Sequence, residues 1–153
     1  MKGSPDLPSK LAIDSSVLIA YFLGEPTGEL AKREILGQRR ATYCSHVTLS
    51  ETFYILCRAR DHQFALDALE TLEKTGFVKF YDSTQLDYEA GMQKCARRIS
   101  LADCYVLALA KNIRGAAVFA HHERDVNAEV KKNPPPVAVL FLEDLIARSS
   151  LAA

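Results

Sequence analysis

The sequence predicts one α/β domain, a three-layer α/β/α sandwich built on a mostly parallel sheet. The chain has 153 residues, 48% hydrophobic and 25% charged, which is the size and composition of a single globular domain. Short apolar segments of strand length alternate with longer segments of helical period. Strands joined through helices form parallel sheets that are covered on both faces. We expect residues 1–10 to be a flexible N-terminal segment and residues 11–148 to form the domain.

The first half of the chain alternates between strand and helix. The apolar run 11–13 is strand-like and ends at Asp14, and apolar residues at helical spacing then continue as far as Gly24 and Pro26. Gly37 closes a second helix, because glycine suits the turn that ends a helix. We predict strands at 11–13 and 41–44, and helices at 15–23, 29–36 and 47–59.

The second half continues the same alternation. Gly76 and Gly115 mark the ends of helices, and three consecutive prolines at 134–136 form a stiff lead-in to the last strand. We predict helices at 64–74, 86–99, 101–112 and 142–147, and strands at 77–81, 116–120 and 137–140.

The chain shows no membrane or secretion signal. No apolar run approaches the roughly 20 residues that a membrane span requires, and residues 1–10 lack the apolar core of a signal peptide. We therefore expect a cytoplasmic protein that does not enter a membrane. In that compartment cysteines without a CxxC pair are expected to be free thiols rather than disulfides or a zinc site, and the cysteines here are Cys44, Cys57, Cys95 and Cys104.

The formal net charge is zero, with 19 basic and 19 acidic residues. This balance excludes a domain that binds nucleic acid through a strongly basic overall field, so any such binding must be local. Pairs of basic residues occur at 39–40, 58–60, 97–98 and 131–132, and each pair is equally consistent with an ordinary solvated surface.

Asp14 directly follows the first predicted strand. Ligands of parallel sheets bind beyond the carboxyl ends of the strands, so Asp14 is a candidate functional residue. The alternative is that Asp14, Ser15 or Ser16 only caps the following helix by accepting a hydrogen bond from a free backbone N–H.

Glu51 lies on a predicted helix beside its apolar stripe, with Val47, Tyr54 and Ile55 at neighbouring positions. A buried carboxylate needs a metal or a basic group, because burial without a partner costs several kcal/mol or forces protonation. The alternative is a glutamate that leans out to solvent at the edge of the stripe.

Asp103 is similarly placed, with Val106 and Leu107 one turn ahead of it on the buried side of its helix. Ser100 and Asp103 also have the spacing of a capping box, which would explain both residues without function. The two interpretations are compatible, since an aspartate in the first turn of a helix can also face a site.

Glu123 and Asp125 follow the predicted strand 116–120 and two histidines, His121 and His122. They lie just past a strand end, as Asp14 does. The alternative is an exposed loop with Asp125 capping a helix. The histidines could ligate a metal, although histidines in loops more often face solvent or serve the structure.

Several acidic residues thus lie at strand ends or on inward helix faces of one parallel sheet. Two carboxylates about 4 Å apart repel by about 4 kcal/mol at an effective dielectric constant near 20, so such a cluster needs cations or protons at neutral pH. Ligand sets made only of oxygen favour Mg²⁺ or Mn²⁺. Ions of this kind activate water for in-line attack on a phosphodiester, which makes hydrolysis of nucleic acid the natural chemistry.

Four segments resemble, in order and approximate spacing, the motifs of PIN-domain proteins. They are LAIDSSVLIAYF at 11–22, SETFYIL at 50–56, SLADCYVLALA at 100–110 and VFAHHERD at 118–125. The resemblance spans nearly the whole chain and is greatest to the small VapC-like ribonuclease toxins. The D-S-S and S-L-A-D motifs are fairly specific when they occur together, and they imply a PIN-like fold.

The resemblance also implies roles for individual residues. Asp14, Glu51 and Asp103 would be the carboxylates that bind metal, Ser16 the hydroxyl that supports the first aspartate, and Ser100 a capping or supporting group. Many members of the family have an aspartate where this sequence has Glu123, with Asp125 two residues later. Glu123 would then be a fourth catalytic acid that binds metal either directly or through water. The alternative is that Glu123 has no role in the site.

The function implied by the resemblance is hydrolysis of RNA with Mg²⁺ or Mn²⁺, as the toxin of a VapBC-type toxin-antitoxin pair. A homodimer, an RNA substrate and a small antitoxin protein are the partners implied. The alternative is a PIN-like RNA-processing or RNA-binding module without a toxin role. A phosphatase with Asp14 as the nucleophile is disfavoured, because the haloacid-dehalogenase pattern needs a second aspartate where Ser16 stands.

Overall fold

The computed structural model describes residues 6–36 and 40–151. These residues form a sheet of five parallel strands in the order β3-β2-β1-β4-β5, with helices on both faces. The predicted three-layer α/β/α fold is confirmed. The strands are β1 (Lys10–Ile13), β2 (Ala41–Cys44), β3 (Lys79–Phe80), β4 (Ala116–Phe119) and β5 (Val139–Phe141).

The helices begin at residues whose side chains satisfy free backbone N–H groups. Asp14, Ser45, Asp61, Ser83 and Ser100 each cap a helix in this way. The helices are α1 (Ser15–Phe22), α2 (Pro26–Glu34), α3 (His46–Ala59), α4 (His62–Thr75), α5 (Thr84–Ala96), α6 (Leu101–Ile113), α7 (Arg124–Lys132) and α8 (Leu142–Leu151).

The two central strands, β1 and β4, are buried on both faces. Leu11 and Ile13 point into an apolar cluster shared with α1, α2 and α8, while Ala12 points into a second cluster formed with α5 and α6. This alternation follows from the two-residue period of a strand. A third cluster around Leu56 packs α3 against α4. Because β1 and β4 pair directly, their carboxyl ends lie side by side.

Several predicted boundaries were wrong. Helix α2 begins at Pro26 rather than at residue 29, because proline at the first helical position needs no hydrogen-bond partner for its nitrogen. Gly37, predicted to close this helix, lies outside the described residues. Helix α5 ends at Ala96 rather than at residue 99, since Arg97 leaves the helix and its guanidinium lies 3.8 Å from Glu129 of α7.

Helix α7 was not predicted, and the proposed cap by Asp125 was wrong. Glu123 is the N-cap residue, and Asp125 lies inside the first turn. The segment 124–132 is too polar to show a clear apolar period, because Val126 is its only fully apolar buried residue.

Residues 1–5 of the predicted flexible segment lie outside the described residues. Leu7 packs against the first apolar cluster, and its carbonyl oxygen accepts a hydrogen bond of 3.4 Å from Arg40 Nε. Lys10 is already part of β1. The limits of the domain therefore stay a prediction. Among the described residues, no helix is long and apolar enough to cross a membrane.

Gly28 provides a test of how closely α1 and α2 pack. A Cβ atom at Gly28 would lie 2.1 Å from the backbone oxygen of Ala20, which cannot move without disturbing α1. We expect Gly28→Ala to lower the free energy of unfolding by about 1–3 kcal/mol through overpacking. The matched variant Gly91→Ala lies at an exposed position of α5, where an added Cβ atom meets no heavy atom within 4 Å, and should raise it by about 0.5–1 kcal/mol. Urea unfolding followed by circular dichroism measures both, and equal stabilities would contradict the packing argument.

Candidate active site

A cavity of about 510 Å³ opens at the carboxyl ends of β1 and β4. All seven residues that the sequence singled out line it, although they come from four separate parts of the chain. Their meeting is a finding of the structure, whereas their chemical roles stay predictions. These residues are Asp14, Ser16, Glu51, Ser100, Asp103, Glu123 and Asp125.

Asp14 is fixed at the end of β1 from two sides. Its backbone N–H donates to Val118 O at 2.9 Å, which extends the pairing of β1 with β4 by one residue. Its Oδ2 accepts a hydrogen bond of 3.1 Å from the N–H of Ser16, so Asp14 is also the N-cap of α1. Asp14 therefore caps α1 and also lines the cavity, while its chemical role stays a prediction.

Ser16 connects the first turn of α1 with the end of β4. Its hydroxyl oxygen accepts a hydrogen bond of 3.0 Å from Ala120 N, and the same hydroxyl hydrogen-bonds to the carboxylate of Asp14. Ser16 therefore orients Asp14 and holds it beside the segment that carries Glu123.

Glu51 reaches the cavity from α3. Its Oε1 accepts a short hydrogen bond from Ser15 Oγ, which joins α3 to the first residue of α1. From the sequence we expected Ser15 only as a possible helix cap. The spacing between residues 15 and 51 does not indicate this contact. Glu51 is half-buried and does not simply lean out to solvent.

Asp103 and Ser100 form the predicted capping box and also line the cavity. Asp103 N donates to Ser100 Oγ at 3.1 Å, and the carboxylate of Asp103 is hydrogen-bonded by Ser100 in return. This reciprocal arrangement holds the carboxylate at the start of α6, where it is buried.

Glu123, Arg124 and Asp125 enter the cavity at the start of α7. Glu123 makes no side-chain hydrogen bond to its own helix, so its carboxylate is not occupied as a cap. Arg124 is the only basic side chain among the described residues that line the cavity. It was not identified from the sequence, where an arginine between two acids is indistinguishable from a solvated charge.

The acidic residues perturb one another. The pKa of Asp14 is raised from 3.8 to about 7, mainly by burial and also by the charges of Asp103 and Glu123, while the hydrogen bonds from Ser16 act in the opposite direction. Burial also raises the pKa of Asp103, to which the charge of Glu51 adds. Although much of Glu123 is exposed, loss of water around its carboxyl and the neighbouring acids raise its pKa as well.

The donor atoms fit a hard divalent cation. The cavity offers carboxylate oxygens whose ionised forms are destabilised by burial and by mutual repulsion, and a cation would relieve both. Across residues 6–36 and 40–151, however, no three His, Cys, Asp or Glu side chains stand close enough to hold one ion together. Joint ligation by three of these acids therefore requires a change of side-chain conformation, for example by Glu51, whose carboxylate now binds Ser15.

His121 and His122 serve the structure around the site. His121 Nε2 lies 3.3 Å from Glu25 Oε2 at the start of α2, and His122 Nε2 lies 2.7 Å from Asp144 Oδ1 on α8. The other ring nitrogen of His122 lies 2.7 Å from Asn127 Oδ1. Both histidines thus anchor the segment between β4 and α7. The four cysteines are free thiols, as expected.

A family model for the PIN domain matches residues 11–128 of the chain. This range includes all seven candidate residues and ends within α7. A comparison with curated protein sequences finds no match.

Solved structures share the fold at low sequence identity. VapC20 of Mycobacterium tuberculosis, described as a sarcin-ricin loop cleaving toxin, superposes with a TM-score of 0.62 at 20% identity, covering 77% of this chain and 93% of that one. The DNA-bound VapBC of Salmonella typhimurium gives 0.63 at 16% identity, covering 87% and 98%. A toxin-antitoxin complex from Klebsiella pneumoniae gives 0.61 at 15% identity, covering 86% and 97%.

The raised pKa of Asp14 predicts a specific dependence of stability on pH. Since the native state binds the proton more tightly than the unfolded state, stability falls as pH rises from about 4 to about 7, by on the order of 4 kcal/mol. Asp14→Asn carries no such proton, so its stability relative to wild type should increase between about pH 4 and about pH 7. Urea unfolding in the presence of a chelator measures this difference, and parallel curves for the two proteins would contradict the raised pKa.

Proposed function

The chain belongs to the PIN domain family, and from this premise we propose that it is a metal-dependent endoribonuclease, the toxin of a VapBC-type pair. The observation that carries the proposal is the meeting of Asp14, Glu51, Asp103 and Glu123 in one cavity at the ends of β1 and β4. A cavity lined by uncompensated carboxylates suits cation-assisted attack on a phosphodiester better than it suits direct binding of a polyanion.

In this proposal the four carboxylates hold Mg²⁺ or Mn²⁺. When bound, such an ion lowers the pKa of water and neutralises charge on the phosphodiester. The chain itself prepares the ligands: Ser16 fixes Asp14 and Ser100 fixes Asp103, each through hydrogen bonds at the start of a helix.

Two further features of the cavity support hydrolysis. Ile19 and Ile55 form part of its wall, and apolar walls strengthen electrostatic interactions by excluding water. Arg124 forms no ion pair with a carboxylate of the described residues. Its guanidinium is therefore available for the phosphate, which it can bind through two parallel hydrogen bonds.

The toxin role rests on the structural neighbours. Several of them are toxin-antitoxin complexes or VapC proteins, and the neighbour from M. tuberculosis is described as a sarcin-ricin loop cleaving toxin. We propose by analogy that this protein acts on RNA in the cytoplasm, forms a homodimer and is inhibited by a small antitoxin.

Cleavage assays test the metal site and the acidic residues together. With labelled RNA and Mn²⁺, we expect Asp14→Asn and Asp103→Asn to lose at least about a hundredfold in rate, because metal ions contribute several kcal/mol to stabilising the transition state. Chelation should abolish cleavage. Arg124→Gln should slow cleavage but retain Mn²⁺ binding in calorimetry. The control Asp67→Asn removes an exposed acid of α4 whose carboxylate is hydrogen-bonded only by Gln63 among the described residues, and it should match wild type.

Two outcomes of this experiment would contradict the proposal. RNA binding without Mn²⁺ binding or cleavage would favour the RNA-binding module instead. The expected products carry a 5′-phosphate, whereas a 2′,3′-cyclic phosphate would show attack by the ribose hydroxyl and exclude the water mechanism.

The identity of the fourth acid can be tested by comparing Glu123 with Asp125. The charge of Glu123 raises the pKa of Asp14. The charge of Asp125 raises the pKa values of Asp103 and Glu123 instead. We therefore expect Glu123→Gln to weaken Mn²⁺ binding about tenfold or more, and Asp125→Asn to weaken it less. Calorimetric titration of both variants measures the difference. The opposite order would assign the fourth position to Asp125.

A further inference from the structure

Helix α3 forms part of the cavity wall and also has an exposed surface. Four of its exposed residues recur at every fourth position, which places them in one stripe along the helix, whereas Glu51 and Ile55 beside the stripe line the cavity. One side of the stripe therefore borders the rim of the candidate active site. It consists of His46, Ser50, Tyr54 and Arg58.

Tyr54 is an exposed aromatic residue at this rim. It lies one turn after Glu51 and directly before Ile55, and 44% of its surface is accessible. The guanidinium carbon of Arg58 lies 4.9 Å from the centroid of the tyrosine ring. A guanidinium over one part of the ring polarises it and holds it in place, while the accessible part remains open to a flat ligand.

Arg58 and Arg60 give this surface a local positive charge. No carboxylate of the described residues forms an ion pair with either arginine, and Arg60 lies over the ring of Phe64 at 5.7 Å. The chain as a whole has zero net charge. A polyanion that approaches a cavity lined by carboxylates needs cationic contacts outside it, and α3 provides them about 10 Å along its axis from Glu51.

An exposed aromatic ring beside an unpaired arginine is the combination that binds single-stranded nucleic acid without reading its sequence. We propose that Tyr54 and Arg58 form a nucleobase-binding subsite outside the cavity, in which Tyr54 stacks on a base flanking the cleaved bond and Arg58 contacts its phosphate. This inference rests on the proposed ribonuclease function and adds to it a determinant of RNA affinity.

Tyr88 is a matched control. It is also an exposed tyrosine, 67% accessible, but it lies on α5, and none of the described residues of that helix lines the cavity. Its ring has no arginine over it among the described residues. Tyr88 therefore tests whether any exposed aromatic residue of this protein would have the same effect.

A fluorescence experiment detects the stacking directly. The chain contains no tryptophan, so Tyr54→Trp introduces a single reporter. In an Asp14→Asn background, which binds without cleaving, titration with a single-stranded RNA of mixed sequence should quench this fluorescence, because nucleobases quench an indole on which they stack. Tyr88→Trp in the same background should show no quenching.

Binding measurements then assign the effect to the ring. With the same RNA labelled with fluorescein, Tyr54→Ala should weaken binding about tenfold, and Tyr54→Phe, which keeps the ring, should remain within about twofold. Arg58→Gln should make RNA binding less dependent on salt concentration. The slope of the logarithm of the binding constant against the logarithm of the salt concentration should fall by the amount expected for about one phosphate contact. An RNA that lacks bases should bind Tyr54→Ala and the tyrosine parent equally well.

The outcomes separate this inference from the proposed function. If wild type cleaves RNA, but Tyr54→Ala binds as tightly as its parent and Tyr54→Trp is not quenched, the subsite is wrong and the ribonuclease proposal stands. If Tyr88→Trp is quenched equally, the subsite is also wrong. If the protein neither binds nor cleaves RNA, both proposals fail. Circular dichroism checks that the Tyr54 variants are folded. We expect them to fold, because 44% of the surface of Tyr54 is accessible.

Discussion

The burial of several carboxylates at one edge of the sheet is the constraint on which the rest of this structure depends. Taking a carboxylate out of water costs free energy, and placing other carboxylates beside it costs more. The raised pKa values of Asp14, Asp103 and Glu123 express this cost. A protein tolerates such an arrangement when something else depends on it, and binding of a divalent cation would turn the repulsion into affinity.

The same hydrogen bonds that start the helices also hold the site. Asp14 caps α1 and Ser100 caps α6, so the ends of these helices and the position of the acids are set by single groups. Ser16 adds a link from α1 to Ala120, just beyond β4. The cap of α1 lies at the carboxyl end of β1 because the helix starts directly after that strand, and the fold thus places a polar side chain where a ligand can bind.

The zero net charge of the chain bears on the proposed binding of RNA. The cavity is acidic, and Arg124 is its only basic side chain among the described residues. In the proposed function, attraction of RNA would therefore come from a bound cation inside the cavity and from basic groups outside it. The exposed stripe of α3, which passes from the wall of the cavity to Arg58, has both the position and the chemistry for the second task.

The sequence by itself determined the α/β class, most of the helices and strands, and the acids that line one cavity, because period and strand-end position are local properties. It missed α7, since a helix with little apolar surface is recognised only from what it packs against. Only the tertiary structure decided that Ser15 binds Glu51, that Arg124 enters the cavity and that His121 and His122 anchor a loop. Those contacts join residues that are far apart in the chain, and the spacing of these residues in the sequence does not indicate that they are in contact.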